Sequence, residues 1–322
     1  APMPTYDMTT FGETMLRLSV PAGRRLECAA TLAVHPGGAE SNVATLLARL
    51  GRHTAWSGAL PESPLGRLVA AVLRGAGVDV GSVHWHPTAR MGAYYVEFSA
   101  PPRPIQVIYD RAHSAAAQMT ANDLAWDALL DTRLLHLTGI TPALAPGCLA
   151  AVAAARQRAG EAGIPVSFDV NFRSKLWSPT AAAAALSPLL DGVALLFCGR
   201  GDAELLFGLR GEPAEIVAQL AERFRAQTVV MSVGDAGVLA WQDGRLWQAA
   251  ALPVQILDRL GAGDALAAGV IDGWLRSDLA YGVQLGAVLA ALALSQEGDM
   301  VVTTREEAEG LMGTQSGAGI RR

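Results

Sequence analysis

The sequence predicts an α/β protein built on a mostly parallel β-sheet with helices over both faces. Three observations point there. Short apolar, strand-like segments alternate with Ala/Leu-rich helical segments through most of the 322 residues, a pattern that favours parallel strands joined by helical crossovers. Turn signals separate them: Pro146-Gly147 divides a loop from an alanine-rich helix, and Gly163-Ile164-Pro165 stops the chain before the next strand. No repeat, linker or low-complexity tract divides the sequence, and with 51% hydrophobic and 17% charged residues it can bury roughly three quarters of its unfolded surface.

In chain order, Thr9 to Val34 holds short strand-like pieces around Gly12-Glu13 and over Leu16 to Val20. Pro36-Gly37-Gly38-Ala39-Glu40-Ser41-Asn42 then opens a helix whose Val43, Leu46, Leu47 and Leu50 fall at i, i+3, i+4 and i+7, and which stops at Gly51. Met91 to Phe98 and Ile105 to Arg111 form a hairpin across the proline-rich connection Ser99 to Pro104. Ile105, Val107, Tyr109 and Arg111 share one face of the second strand, so Tyr109 and Arg111 point the same way. These two β-rich regions make a small sheet over one edge of the main domain. Leu134 to Leu137, Val166 to Asp169, Val193 to Cys198 and Thr228 to Val233 supply strands of the main sheet, and a helix follows through Ala267 to Leu275.

Composition excludes several classes. The 25 Lys and Arg against 30 Asp and Glu give a net charge of −5, which argues against a nucleic-acid binder, and the seven tryptophans lack interleaved basic residues. Lys175 is the only lysine and no glycine run precedes it, so a Gly-Lys-Ser/Thr phosphate loop is absent. Any phosphate site must use arginine, backbone N–H groups or a metal. Cys28, Cys148 and Cys198 fit neither a disulfide framework nor a zinc site and are expected to be reduced. His84 and His86 have strand spacing but no third ligand nearby, which favours a plain surface strand. The N-terminal residues lack a signal-peptide pattern, and the longest apolar run, Leu285 to Leu294, is about half the ~20 residues of a membrane span, so a soluble, cytoplasmic protein is expected.

Three segments can carry chemistry. Gly37-Gly38 ahead of a helix lets a ligand approach the backbone and meet free N–H groups, although an ordinary tight turn has the same pattern. In Asp258-Arg259-Leu260-Gly261-Ala262-Gly263-Asp264 the two glycines flank a point where N–H groups converge on an anion at a helix start. A carboxylate there repels what the turn attracts, which makes sense for a general base; a plain helix cap is the alternative, and a dinucleotide fingerprint lacks its third glycine at Leu266. Asp169, Asn171 and Arg173, at the C-terminal end of a strand where α/β sheets bind ligands, offer acceptors and a guanidinium suited to a carboxylate or polyol; loop solvation explains them equally.

Together, Gly37-Gly38-Ala39-Glu40-Ser41-Asn42-Val43-Ala44 and Gly261-Ala262-Gly263-Asp264, in this order and separation, resemble the ribokinase-like, or PfkB, carbohydrate kinases over essentially the whole chain. Within that family, Met91-Gly92-Ala93-Tyr94, Val107 to Arg111, Gly139 to Ala143 and Asp169 to Trp177 are most similar to the 2-keto-3-deoxygluconate kinases. The resemblance implies a ribokinase-like α/β fold, a single domain over 1–322 with a β-sheet lid formed by about 12–34 and 88–113. It also implies ATP-dependent phosphorylation of a sugar acid's primary hydroxyl, with Mg²⁺. Gly38, Asn42, Tyr94, Tyr109, Arg111, Ile140 and Arg173 would surround the sugar acid, the arginines at its carboxylate. Asp264 would be the base, the N–H groups of Gly261, Ala262 and Gly263 the anion hole, and Ser232, Gly234 and Gly237 would lie near the nucleotide. Family members often carry Asn-x-x-Glu by the metal; here Gly199-Arg200-Gly201-Asp202 stands there, so Asp202 would act on Mg²⁺ through water. Arg259 and Leu260 replace the small or β-branched residues often found before the glycine turn. Related kinases often dimerise through the lid, so a homo-oligomer is expected, without nucleic-acid or membrane partners. A kinase for a neutral sugar or nucleoside, and a sugar-binding protein without catalysis, are the alternatives.

Overall fold

The computed structural model describes residues 3–99 and 102–312. From the N-terminus the chain forms β1 (Met8–Thr10), β2 (Met15–Ser19), β3 (Ala33–Gly37), helix α1 (Ala39–Arg49), β4 (Thr54–Trp56), β5 (Ala59–Pro61), α2 (Pro64–Gly75) and β6 (His84–His86). The hairpin β7 (Ala93–Glu97) and β8 (Gln106–Asp110) leads to α3 (Trp126–Leu130), β9 (Leu135–Thr138), α4 (Thr141–Leu144), α5 (Pro146–Glu161), β10 (Val166–Asp169) and α6 (Pro179–Leu190). Then come β11 (Leu195–Phe197), α7 (Arg200–Phe207), α8 (Pro213–Phe224), β12 (Thr228–Ser232), β13 (Val238–Gln242), β14 (Arg245–Ala249), α9 (Ala262–Leu275), α10 (Leu279–Leu294) and α11 (Arg305–Leu311).

Among the described residues the main sheet has eight strands in the order β14-β13-β12-β11-β10-β9-β1-β4. From β12 to β4 neighbouring strands are parallel, and β13 and β14 add antiparallel hairpin strands at one edge. Strands such as β9 and β11 are buried along their whole length, which is why they read as continuous apolar runs rather than alternating ones. The mostly parallel sheet with helices on both faces is the architecture expected. One core packs α1, α2, α9 and α10 against the sheet, and a second packs α5, α6 and α8. Helices α9 and α10 touch backbone to backbone, because a β-carbon on Gly269 or Gly273 would meet Gly286 or Gly282 of the facing helix. That contact fixes the helix whose first turn carries Asp264.

A separate four-stranded sheet, in the order β3-β2-β7-β8, stands where the lid is expected. Its pairs are antiparallel except β2 with β7, so the hairpin expected at 91–111 is present, with two of its connecting residues, Ala100 and Pro101, outside the described residues. The N-terminal region departs from expectation. Thr9 and Thr10 belong to β1 in the main sheet, Gly12-Glu13 is a connection rather than a strand, and β3 continues to Gly37. Met8, Thr9 and Thr10 are all buried, which suits a central strand and not a sheet with one wet face. Met15, Tyr94 and Val96 face inward on the lid with Val107 and Tyr109, while Ile108 is turned outward and exposed.

Candidate active site

The loops after the C-terminal ends of β1, β9, β10, β11 and β12 crowd one crest of the sheet, where open α/β folds bind ligands. Asp264 stands there, in the first turn of α9. Gly261 is the cap of that helix, in the left-handed region at φ 82°, and a β-carbon on it would strike the carbonyl oxygen of Asp299. The first-turn N–H groups have no carbonyl four residues earlier in the helix and remain available to an anion. Asp264 Oδ2 accepts a 2.7 Å bond from Nδ2 of the buried Asn42, whose own Oδ1 accepts from the Gly38 N–H at 3.3 Å. The two glycine-rich segments, 222 residues apart, therefore meet through one amide. A β-carbon on Gly38 would fall on the carbonyl of Glu13, so this glycine admits the backbone of the neighbouring loop.

Burial pushes the Asp264 carboxyl up to about 7; the bond from Asn42 and the Arg173 charge oppose this, and Asp299 and Glu40 add to it. Asp169 rises to about 8, first through burial and then through the charge of Asp264, with Arg173 opposing. Asp202, in the first turn of α7, is also raised by burial, while its Oδ2 accepts from the Phe172 N–H at 3.3 Å. Glu204 pairs instead with Arg200 at 3.0 Å on the surface. Asn171 adopts a positive φ of 40° and turns back on Asp169, its N–H 3.1 Å from Asp169 Oδ1, so Asp169, Asn171 and Arg173 do not alternate as a strand. Arg173 is exposed, with one bond to the Phe172 carbonyl.

The lid faces this crest. Tyr94 and Tyr109 pack with ring centres 5.9 Å apart, and the Arg111 guanidinium lies 5.1 Å from the Tyr109 ring centre. Arg111 is paired with the buried Glu13, while its Nε is a buried donor with no protein partner. Tyr109, Arg111, Phe172 and Arg173 line a cleft of about 910 Å³ between the lid and the loop after β10, and Lys175 spans it to the Val107 carbonyl at 2.6 Å. Ile140, at the N-terminus of α4, is buried, its N–H 3.2 Å from Thr138 Oγ1. A second hollow, of about 600 Å³, is lined by Gly199 to Asp202, Glu204 and Ser232 to Gly234. Gly237 lies outside it, packed against the Ala249 carbonyl.

Four charged residues of this region have no role that the motifs assign. Glu13 holds Arg111; Arg17, Asp258 and Asp299 form a buried network beside Gly261. Arg17 has a signal, an arginine at an inward position of the apolar strand Met15–Ser19, and Asp258 stands directly before the glycine turn. Asp299 has none, since it lies in a bend whose sequence carries no pattern.

An aspartate in the first turn of a helix that opens on a glycine turn, beside a small β-sheet at the crest of a parallel sheet, is an arrangement suited to phosphoryl transfer to small hydroxylated substrates. The chain belongs to the pfkB family of carbohydrate kinases, whose family model matches residues 7–307, and it is a kinase enzyme. A 2-dehydro-3-deoxygalactonokinase of Haloferax volcanii is 39% identical over 310 residues, covering 95% of this chain and 96% of that protein. A 2-dehydro-3-deoxygluconokinase of Thermoproteus tenax is 30% identical, covering 95% and 94%. The crystal structure of the 2-dehydro-3-deoxygluconokinase of Thermotoga maritima superposes with a TM-score of 0.91 at 32% identity, covering 95% of this chain and 99% of that one. Among the described residues no helix is long and apolar enough to cross a membrane.

Proposed function

We propose that this kinase transfers the γ-phosphoryl group of ATP to the primary hydroxyl of a 2-keto-3-deoxy sugar acid, of the gluco or galacto configuration. The observation that carries the reading is Asp264, held by Asn42 at the mouth of the Gly261–Gly263 turn. Its carboxylate takes the hydroxyl proton as the sugar oxygen bonds to the γ-phosphorus and the bond to the ADP oxygen breaks; the proton ends on Asp264. The N–H groups at Gly261, Ala262 and Gly263 stabilise charge on the transferring group. The Arg111 guanidinium, already oriented by Glu13 and retaining a free Nε, and the exposed Arg173 serve the substrate carboxylate. Tyr94, Tyr109, Gly38, Asn42 and Ile140 surround the sugar, and Asp169, with Asn171 fixing its orientation, bounds the same space. Ser232 and Gly234, in the hollow beside Asp202, serve the nucleotide, with Gly237 shaping the turn that presents them.

The donor set fits Mg²⁺. Asp169, Asp202 and Asp264 are partly buried carboxyls, and Asp169 feels the charge of the other two, which a dication would relieve. Among the described residues no three His, Cys, Asp or Glu form a cage that could hold a metal ion by themselves. Asp202 would hold it through water, and the ion would supply charge neutralisation on the phosphates.

We also assign the outward lid face, where Ile108 is 52% and Val34 46% exposed, to pairing with a second copy of the chain. The chemical reading is tested by coupled ADP release over a panel of sugar acids and neutral sugars. Arg111→Ala and Arg173→Ala should each lose at least about 10-fold in kcat/KM on sugar acids while leaving residual turnover of neutral sugars unchanged. Equal losses on both classes, or preferred turnover of fructose or ribose, would favour a neutral-sugar kinase.

A further inference from the structure

Two loops that reach the site from distant parts of the chain, 258–263 and 298–299, are joined by one guanidinium from the lid. Arg17 lies on β2, in register with Tyr94 on β7, which is itself in register with Tyr109 on β8. Its side chain is 1% exposed. Nη2 is 2.6 Å from Asp258 Oδ2 and Nη1 donates to Asp299 Oδ1 at 2.6 Å. Asp258 in turn accepts from the N–H groups of Leu260 at 3.0 Å and Gly298 at 3.2 Å. Asp299 accepts from the Tyr94 hydroxyl at 2.5 Å, and its backbone is the surface on which Gly261 rests. A buried arginine is costly unless its hydrogen bonds and charge are met; here Nη1 and Nη2 of a planar fork each meet a carboxylate, in a fixed geometry that the point charge of a lysine does not reproduce, while Nε has no protein partner.

We infer that Arg17 is a positioning residue: it holds the lid row containing Tyr94 and the Gly261–Gly263 turn in one frame, so that the sugar and the incoming phosphoryl group are aligned. Arg17 acts through Asp258 and Asp299 rather than on the reacting atoms. The inference rests on the assignment of Asp264 and its turn made above.

The test compares Arg17→Lys, which keeps a charge without the fork, with Arg17→Met/Asp258→Asn/Asp299→Asn, which removes all three charges together and so avoids a stranded carboxylate. Misalignment acts on the transition state, so both variants should lose about 10²-fold in kcat while KM for ATP stays within about threefold, with thermal melts showing a folded protein at the assay temperature. A kcat within about threefold of the parent in both variants, or a fall no larger than the loss of folded protein, overturns the inference. Asp264→Asn run alongside separates the two assignments. If it turns over normally, the reading of the site itself fails; if it is inactive while the Arg17 variants are fully active, only the role of Arg17 fails.

Discussion

Burial holds the Asp264 proton to about 7, and in the proposed role of base this is near the pH at which such a group both ionises and still accepts a proton well. Only the ionised form can take the hydroxyl proton, so kcat/KM should climb with pH through about 7 and level off above it. A flat profile from pH 5.5 to 8.5 would count against the assignment. The same burial has a cost in stability. Asp264 and Asp169 bind protons more tightly folded than in the unfolded chain, where an aspartate titrates near 4, so each withdraws stability as pH rises from about 4 towards 7 and 8 respectively. Asp264→Asn should therefore melt above the parent at pH 8, with the gap closing by about pH 4; an equal or lower melting temperature at pH 8 would contradict this. At this scale the sequence is legible where a residue type conflicts with its local setting, as an acid does in an anion turn. It is silent where the partner comes from elsewhere. Nothing near Arg111 reveals Glu13, 98 residues away, and nothing near Arg17 reveals Asp299.

The element that matters most is the start of α9. Gly261 sits at φ 82° with Asp299 against its α-carbon, whereas Gly263, two residues on, faces open space. Gly261→Ala should cost about 1–3 kcal/mol of stability, and Gly263→Ala should leave stability close to the parent value, as measured by urea unfolding. Equal effects would mean that the turn is not held as described. Strand β10 is predicted with the ends it has, because Pro165 marks its start and its apolar run is short and fully buried. Strand β1 is missed by local reading, which places Thr9 and Thr10 in the region of the small sheet, since three buried residues carry no signal of which neighbours they pair with. The loop after β10 looks like alternation in sequence and is a tight turn at Asn171, because an aspartate accepting the N–H two residues on overrides the strand pattern.

For the whole molecule, the parallel sheet with its two helical layers follows from the alternation of segments, and the small sheet from the 91–111 hairpin that departs from it. How lid and sheet are joined does not follow, because it depends on charges drawn from four separate stretches of chain. The outward lid face predicts an oligomer: light scattering should show the parent as a dimer or larger, and Ile108→Glu should shift it towards monomer without unfolding it. A monomeric parent at working concentration would remove that surface from the account. The central claim is the role of Asp264, and it is tested most directly by turnover of 2-keto-3-deoxygluconate with Asp264→Asn. The variant should bind the sugar acid as the parent does yet lose about 10²- to 10⁴-fold in kcat; turnover near the parent rate would contradict it.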